Sequence, residues 1–473
     1  MKRSVSIERL LALAIVFVCA SYPIQLLASG FQLIEQNGSG LGNAFAGQAA
    51  STRDASTIFF NPANLTRISG KQVVFGVNPI GITTDFTDGG STRPLLGTTP
   101  IPVPLGTTGG DAGGWIPVPN GYFSWQASQK VWAGLGVGAP FGLKTEWDGD
   151  WMGRFKATKS EVRTVNINPT LAFKVSDTFS LGGGASYQRL KATLAQGVAF
   201  GGISYGKAVQ VAGPIGGAFV LRALGGPAGL AMEGTSTVEG DTWSWGWNVG
   251  AALSVGKEGH IGASYRSKIK HDIEGTATFV GAPTFDLPGP LAPLGAALNA
   301  AFASGPVKAR IELPDTVSVA ASYEGEKVEL MADYTWTGWT SIQALSVVRA
   351  DSTPLTSVPL NFKDTFRVGL GFNYKMSDAW LLRLGTAYDK TPVQDQFRTP
   401  RLPDEDRTWA ALGFQYKVGK NGALDVGYAH LFVKDATSNL PNQDSASAAP
   451  TGNLVGTYKD SVNIVSLQFR QSF

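Results

Sequence analysis

The chain has 473 residues, of which 16% are charged, 10% are aromatic and 59 are glycine. Ordinary soluble domains carry roughly 25% charged residues, so this composition is poor in charge for a soluble protein. The formal net charge of +3 argues against electrostatic capture of nucleic acid. A soluble chain of this length would split into domains, whereas a closed barrel can reach it as one unit.

Residues 1–28 read as a secretory leader, because basic residues precede the apolar stretch 10–20 and a cleavage site follows Ala28. An uncleaved anchor helix is the alternative, and its apolar run falls short of the roughly 20 residues that span a bilayer. The only cysteine, Cys19, lies in the leader. The mature chain is therefore expected to lack thiols, disulfides and thiolate metal sites.

Residues 29–70 do not alternate like a strand, since they are small, polar and rich in glycine. We interpret them as a plug inside a barrel. Within this stretch Asn61-Pro62-Ala63 fits the start of a helix, with Asn61 as the cap and Pro62 in the first turn. These three residues alone fit an ordinary surface turn equally well.

Residues 71–473 alternate tight turns with long connections, which predicts an all-β transmembrane antiparallel barrel of about 14 strands. The tight turns are expected at Ser128-Gln129, Ser176-Asp177, Lys257-Glu258, Glu324-Gly325, Met376-Ser377 and Lys420-Asn421. They would mark the periplasmic end, and the long connections the outer end. Fourteen strands require residues 326–348 to be one bent strand. If that stretch is split, the count becomes fifteen, although bacterial barrels prefer even numbers.

Near the carboxyl end the strands alternate with a period of two residues. Leu412, Phe414 and Tyr416 are expected to face lipid, while Trp409 and Ala411 face the lumen. The last strand places its apolar residues on one face and is followed by an aromatic residue. This pattern looks like the assembly signal of outer-membrane barrels. Two interfacial tryptophan belts are predicted, with these members: Trp125, Trp132 and Trp380 by the turns, and Trp147, Trp151, Trp336 and Trp339 by the loops.

The sequence offers little for catalysis or metal binding. None of the three histidines has a second histidine or cysteine at metal-ligand spacing. The pair Ser267 and His271 would share a strand face, but four residues of strand separate them by roughly 13 Å. We therefore expect no enzyme activity, no cofactor and no metal.

Several motifs resemble the FadL family of outer-membrane transporters for long-chain fatty acids and other hydrophobic compounds. In family order these motifs are Ser29-Gly30-Phe31-Gln32-Leu33, Gly40-Leu41-Gly42-Asn43-Ala44, Asn61-Pro62-Ala63, Phe141-Gly142-Leu143-Lys144-Thr145-Glu146, Trp245-Gly246-Trp247-Asn248-Val249-Gly250, Tyr265-Arg266-Ser267, Leu313-Pro314-Asp315, Phe362-Lys363-Asp364-Thr365-Phe366-Arg367, Thr391-Pro392-Val393 and Pro403-Asp404-Glu405-Asp406-Arg407. The resemblance covers essentially the mature chain.

The resemblance implies a barrel closed by an amino-terminal hatch, with a kink in the third strand through which substrate leaves sideways into the membrane. The kink would involve Pro140, Phe141 and Gly142, because Pro140 cannot donate to a strand ladder. An incidental bulge is the alternative at Gly142. Asn61-Pro62-Ala63 would face the gap, and Asn61 would act as the latch.

Two long connections, residues 195–232 and 276–306, are apolar and nearly free of charge, which favours a landing surface for lipophilic ligands. Loops that fold inward and pack on the barrel would have the same composition. A buried carboxylate headgroup needs a cation, and the predicted candidates are Arg189, Lys191, Lys363 and Arg367. A structural pair within the lumen, such as Asp389 with Arg407, explains such charges equally well.

At two positions the sequence departs from the family pattern. The basic headgroup positions of the fatty-acid transporters fall near Leu194 and Val358, which carry no charge. Neutral aromatic or aliphatic hydrocarbons are therefore the alternative substrate. A structural or enzymatic barrel is a third reading. In each case we expect a monomer in the outer membrane of a Gram-negative bacterium, surrounded by lipid and lipopolysaccharide and inserted by the barrel assembly machinery, with no nucleic-acid partner.

Overall fold

The computed structural model describes residues 30–51, 53–96, 99–442 and 450–473, so the predicted leader lies outside the described residues. Within them, one antiparallel sheet of 20 segments forms fourteen strands, because six strands are interrupted. The strands are β1 (Lys71–Asp88), β2 (Gly114–Gln126), β3 (Val131–Gly138 and Gly142–Glu146), β4 (Lys159–Lys174), β5 (Phe179–Val198), β6 (Gly234–Val255), β7 (Gly259–Arg266 and Ile269–Val280), β8 (Gly305–Leu313 and Thr316–Glu324), β9 (Val328–Thr337 and Ala344–Arg349), β10 (Pro354–Pro359 and Thr365–Lys375), β11 (Trp380–Asp389), β12 (Arg407–Val418), β13 (Gly422–Val433 and Ala436–Leu440) and β14 (Leu454–Ser472).

The sheet closes on itself because β1 pairs with β14, from Gln72 opposite Ser472 to Asp88 opposite Gly456. Closure removes the unpaired strand edges that a bilayer does not tolerate. The predicted barrel and its fourteen strands are confirmed, since β9 continues across its interruption as one bent strand. The six tight turns lie where the sequence predicted them, and the long connections lie at the opposite end.

The alternation of side chains follows the predicted faces. On β12, Leu412 is 53% exposed, whereas Trp409 is 1% exposed. On β14, the apolar residues Val465, Leu467 and Phe469 are exposed toward the lipid side. The period of two thus separates a lipid-facing surface from a packed lumen.

The predicted tryptophan belts are only partly correct. Trp125 and Trp380 are exposed near the turns, but Trp132 points inward and donates its indole N–H to the carbonyl of Ile68. The loop-end residues Trp147, Trp151 and Trp339 are also buried. Trp147 stacks on Trp151 with ring centroids 4.3 Å apart, inside a cluster that covers the barrel mouth. The exposed outer aromatics are instead Trp115, Trp243, Trp245 and Trp247.

Residues 30–70, called here the lumen segment, contact strands on several sides of the barrel and are almost entirely buried. Gly38 donates to the side chain of Gln468 on β14 at 2.8 Å. Asn43 donates to backbone carbonyls of β10 and β11, both at 3.1 Å. Asn61 donates to the carbonyl of Ala251 on β6 at 2.9 Å. A segment with partners on so many strands lies within the barrel.

Helices are few. The lumen segment contains α1 (Thr57–Phe60) and 3-10 turns at Leu41–Asn43 and Pro62–Arg67. The two long apolar connections hold α2 (Phe200–Ala223) and α3 (Ala292–Ala301). No helix in the described ranges has both the length and the apolar character needed to cross a membrane.

Helix α2 is a hairpin rather than one rod. Gly213, with φ of +63°, breaks it between two arms that fold back on each other. A Cβ on Gly217 of the second arm would lie 2.7 Å from the side chain of Val209 on the first. The hairpin also packs on α3 through a shared apolar cluster that includes Leu224 and Leu298. The two connections therefore form one unit at the loop end.

The close fit between lumen segment and wall generates a prediction. A Cβ on Gly385 of β11 would lie 2.1 Å from the carbonyl carbon of Asn43, so Gly385→Leu is expected to displace the lumen segment. Its residues should be cut faster in limited proteolysis, while heat-modifiable migration of the closed barrel persists. Gly183→Leu is the matched control, because a Cβ there meets nothing closer than 3.4 Å. Equal protection in the two variants would contradict the prediction.

Candidate functional site

The third strand is interrupted at residues 139–141, between Gly138 and Gly142. Along β3 four residue steps lead from Gly138 to Gly142, whereas their partners on β4, Asn166 and Arg163, are three steps apart. The interruption therefore contains one surplus residue, as in a β-bulge. Pro140 supplies the residue that cannot donate a backbone hydrogen bond.

Phe141 of the interruption keeps hydrogen bonds to Thr164 of β4, whereas the residues around it bond to the lumen segment. Leu33 donates its backbone N–H to the carbonyl of Pro140 at 2.9 Å, and Gly142 donates to the carbonyl of Phe31 at 3.0 Å. The side chain of Gln36 donates to the carbonyl of Ala139 at 2.8 Å. Backbone groups that the wall leaves unpaired are thereby satisfied from inside the barrel.

Next to the interruption the wall has a gap. β2 pairs with β3 only between Gly121–Val137 and Gln126–Trp132. Above that level the described residues show no ladder between the two strands, because Gly142–Glu146 pairs with β4 alone. The first half of β2 keeps its bonds to β1. The opening therefore lies between β2 and β3, in the outer half of the barrel.

A cavity of about 560 Å³ runs from the lumen to this gap. Its lining includes Trp115 and Arg163, which are exposed on the outer surface, together with Ile80 and Leu431 from the lumen side. Residues from both faces of the wall line one space. Most of the other side chains at the gap are apolar, including Ile116, Leu143, Val162 and Val165. The cavity therefore suits an apolar molecule that passes through the wall.

The inner part of this cavity is rich in carboxylates. Glu35, Asp389, Asp404 and Asp460 line it, with Arg407 as the cation among them. Arg407 forms an ion pair with Asp404 at 2.8 Å. Burial raises the pKa of Glu35 to about 7, because the ionised form loses its hydration inside the barrel. This lining disfavours a second anion deep in the cavity.

The predicted pair of Asp389 and Arg407 is placed side by side. The two residues are cross-strand partners on β11 and β12. Asp389 is 2% exposed and faces the lumen. Arg407 also forms an ion pair with Asp404 at 2.8 Å and donates to the carbonyl of Gly30 at 3.1 Å. Arg407 thus holds the start of the lumen segment.

The four predicted headgroup cations lie in different places. Arg367 faces the lumen, is 4% exposed and pairs with Asp333 at 3.3 Å. Lys363 is exposed in the interruption of β10. The expectation for Arg189 and Lys191 was wrong, because both lie on the outward face of β5 and pair with acidic residues of β6. The parity of β5 puts Gln188 and Leu190 inside instead.

The Asn61-Pro62-Ala63 motif begins a helix as predicted. Asn61 accepts a hydrogen bond from the backbone of Ala63 at 3.1 Å, and Pro62 opens the 3-10 turn. The motif does not face the gap, contrary to the expectation. Pro62 and Asn61 pack on Gly182 of β5 and Gly250 of β6, where a Cβ would collide with them.

Sequence reasoning missed two residues of this region. The side chain of Gln36 donates to the backbone of the β3 interruption, and no sequence pattern around Gln36 predicts that contact. Arg266 ends the first segment of β7 on the inward face, where it lines a small second cavity. Arg266 belongs to the Tyr265-Arg266-Ser267 motif named above. Because it shares the parity of Gly262 and Ser264, the alternation of β7 could have placed it on the inward face. In the described residues no group of His, Cys, Asp or Glu could hold a metal ion.

Comparison with known proteins adds a family to this geometry. Residues 18–473 match the model of the outer membrane protein transport protein family, OMPP1/FadL/TodX. The long-chain fatty acid transport protein of Escherichia coli K12 is 27% identical over 432 residues, covering 90% of this chain and 93% of that protein. Outer membrane protein P1 of Haemophilus influenzae is 27% identical over 467 residues, covering 94% and 95%.

Two solved structures describe the same architecture. A Pseudomonas aeruginosa FadL homologue superposes with a TM-score of 0.79 at 26% identity, over 94% of this chain and all of that chain. The Pseudomonas putida toluene transporter TodX superposes with a TM-score of 0.64 at 15% identity, over 92% of this chain and 98% of that chain. The second likeness concerns the fold alone.

The shifted pKa of Glu35 generates a prediction. Its folded-state pKa of about 7 lies above the ordinary value of 4.5, so the protonated carboxyl favours the folded state. This contribution, on the order of 3 kcal/mol, is complete below pH 4.5 and is lost as the pH rises through about 7. Glu35→Gln should therefore raise the thermal midpoint of heat-modifiable migration at pH 8 and change it little at pH 4. A shift of equal size at both pH values would contradict this.

Proposed function

The chain belongs to the OMPP1/FadL/TodX family of outer-membrane transport proteins, and we propose that it carries long-chain fatty acids across the outer membrane by passive lateral diffusion. As a family member it is an outer-membrane transporter of hydrophobic compounds in a Gram-negative bacterium. The proposed route begins on the outer loops, passes through the lumen cavity and leaves through the gap beside β3.

The gap is the observation that carries this proposal. An apolar molecule gains nothing by entering a watery channel, whereas a lateral exit transfers it from an apolar cavity directly to lipid. The cavity is lined by residues from both faces of the wall, as such an exit requires. Because the interrupted strand is bonded to Phe31, Leu33 and Gln36, movement of the lumen segment would change the width of the gap.

The apolar outer loops support capture of the ligand from outside. On the α2 hairpin Ile215 is 70% exposed and Val211 is 60% exposed, with Val209 and Phe219 beside them. Beneath this surface the hairpin packs on α3. An apolar surface of this kind suits a ligand with a long hydrocarbon chain.

The lumen segment supports the role of a hatch. Asn61 ties it to β6 and also donates to the carbonyl of Ala49 at 2.6 Å. Hydrogen bonds of this type contribute only about 1 kcal/mol each to the folded state. A segment held by many such bonds can rearrange in steps when a ligand arrives.

Neutral hydrocarbons are the second candidate substrate. The acidic lining around Glu35, Asp389 and Asp460 favours them, because a neutral molecule is not repelled there. Relatives of both kinds exist, since similar proteins include long-chain fatty acid transport proteins and a toluene transporter. The greater similarity to the former group supports the fatty-acid proposal.

The outer surface of the barrel supports the proposed monomeric state and the proposed contacts with lipopolysaccharide and the barrel assembly machinery. A single chain forms the complete barrel and cavity, which supports a monomer. The outward ion pairs of Arg189 and Lys191 lie from the level of the exposed Trp243 toward the outer loops, at a level suited to lipopolysaccharide headgroups. The terminal Phe473 is 73% exposed and suits recognition by the barrel assembly machinery.

The surplus residue in β3 allows a sharp test. Deletion of Pro140 equalises the residue counts of β3 and β4, so β3 should pair with β4 without interruption. A straight β3 would also lie beside β2 over its full length, and the gap between β2 and β3 should close. We expect uptake of radiolabelled oleate into cells to fall at least tenfold, with heat-modifiable migration retained. Pro140→Ala is the matched control, because it keeps the surplus residue, and it should retain uptake.

Oleate and toluene are to be measured side by side in this test. Uptake of oleate by the unaltered protein supports the fatty-acid proposal, and uptake of toluene alone supports the second candidate. Unchanged uptake after deletion of Pro140 would contradict the lateral route for either substrate.

The hatch role of Asn61 gives a second prediction. Asn61→Ala removes the cap of the 3-10 turn and both bonds of the side-chain amide, so the rate of oleate uptake should change at least twofold. The barrel should still migrate as a heat-modifiable band. Ser51→Ala is the control, because its hydroxyl bonds to Glu329 on β9, outside the motif. An uptake rate equal to that of the control would remove Asn61 from the mechanism.

A further inference from the structure

Arg266 is an inward-facing cation whose partners in the structure are all neutral. Its guanidinium donates to the hydroxyl of Ser186 at 3.1 Å and to the carbonyl of Phe59 at 2.9 Å. It also lies over the ring of Phe59, 4.1 Å from the centroid. The side chain thus joins β5 and β7 to the lumen segment without an acidic partner.

Three other arginines inside the barrel have a carboxylate partner. Arg53 pairs with Glu329 at 3.4 Å, Arg367 pairs with Asp333 at 3.3 Å, and Arg383 pairs with Asp425. Such pairing is expected, because a cation removed from water is costly unless an anion balances it. No carboxylate of the described residues forms an ion pair with Arg266. The site therefore carries a charge that an incoming anion would balance.

The space beside Arg266 suits a headgroup rather than a whole ligand. The second cavity has a volume of about 80 Å³ and is lined by Arg266, Ser264, Phe45 and Phe60. A single water needs roughly 10–15 Å³ of such space, so a carboxylate with its first methylenes fits. Asp333 and Asp389 also line this cavity, and Arg367 balances Asp333.

The two cavities meet at the lumen segment. Gln32, Leu33 and Ile34 line both of them, as does Asp389. These residues lie between the two cavities, so a shift of the lumen segment would let a ligand keep its polar head beside Arg266 while its chain lies in the larger cavity that leads to the gap. Guanidinium has five N–H donors, and the structure uses two of them for Ser186 and Phe59. Donors remain for a carboxylate.

We infer that Arg266 binds the carboxylate of the fatty acid in the lumen and thereby selects acids over neutral compounds. This inference rests on the proposed function and supplies the headgroup site that Arg189, Lys191 and Lys363 do not form. Because Phe59 is bonded to the same guanidinium, the bound carboxylate lies against the lumen segment.

The test compares two ligands with the same chain, oleate and oleyl alcohol. Binding to the purified full-length protein is measured by quenching of intrinsic tryptophan fluorescence. Arg266→Gln should weaken oleate binding at least tenfold and leave oleyl alcohol binding within twofold. Arg266→Lys should restore most of the preference for the acid. Arg189→Gln removes an outward-facing arginine, and it should change neither ligand.

The outcomes separate the two proposals. If Arg266→Gln binds both ligands as the unaltered protein does, or weakens both equally, Arg266 does not bind the carboxylate and the inference is overturned. The fatty-acid proposal survives either result as long as the unaltered protein binds and transports oleate. If the unaltered protein binds the alcohol but not the acid, both proposals are overturned and the neutral-cargo candidate stands.

Discussion

A strand may leave its ladder inside a membrane only if its backbone groups find other partners, because lipid offers none. The interruption of β3 meets this condition through the lumen segment, together with Thr164 of β4. Leu33 and Gln36 donate to the carbonyls of Pro140 and Ala139, and Phe31 accepts from Gly142. The gap in the wall and the segment inside the barrel therefore depend on each other. The position of the lumen segment therefore determines both the shape of the cavity and its access to lipid.

The lumen segment is held by polar contacts in addition to the apolar clusters that it shares with the wall. Asn43, Asn61 and Gly38 bond to four different strands, and glycines such as Gly385 let its backbone approach the wall closely. Each neutral bond contributes modestly, since its groups would otherwise bond to water. The buried ion pair of Arg53 with Glu329 on β9 fixes the position of the segment more than it adds stability. The arrangement is specific in geometry and permits exchange of partners, which is what a moving hatch requires.

Much of the barrel could be predicted from sequence, because alternation and turn residues are local signals. Leu412 and Trp409 lie on the predicted faces, and β9 is one bent strand. The site was harder to predict. The inward placement predicted for Arg189 was wrong because the glycine-rich start of β5 obscures the alternation of that strand. The contact of Asn61 with β6 could not be predicted, because it depends on tertiary packing that no local sequence pattern records. Arg367 and Arg266 look alike in sequence, and only tertiary structure shows which of them has a carboxylate beside it.

The closing seam has a consequence for biogenesis. Lys71 and Phe473 exchange backbone hydrogen bonds, so β1 and β14 can pair only after β14 has been synthesised. Gly38, which precedes β1, bonds to Gln468 on β14 across 430 positions of the chain. Contacts of such long range form late, because the loop they close is costly in entropy. Because β14 is a partner of both β1 and the lumen segment, completion of the cylinder is coupled to the filling of its interior.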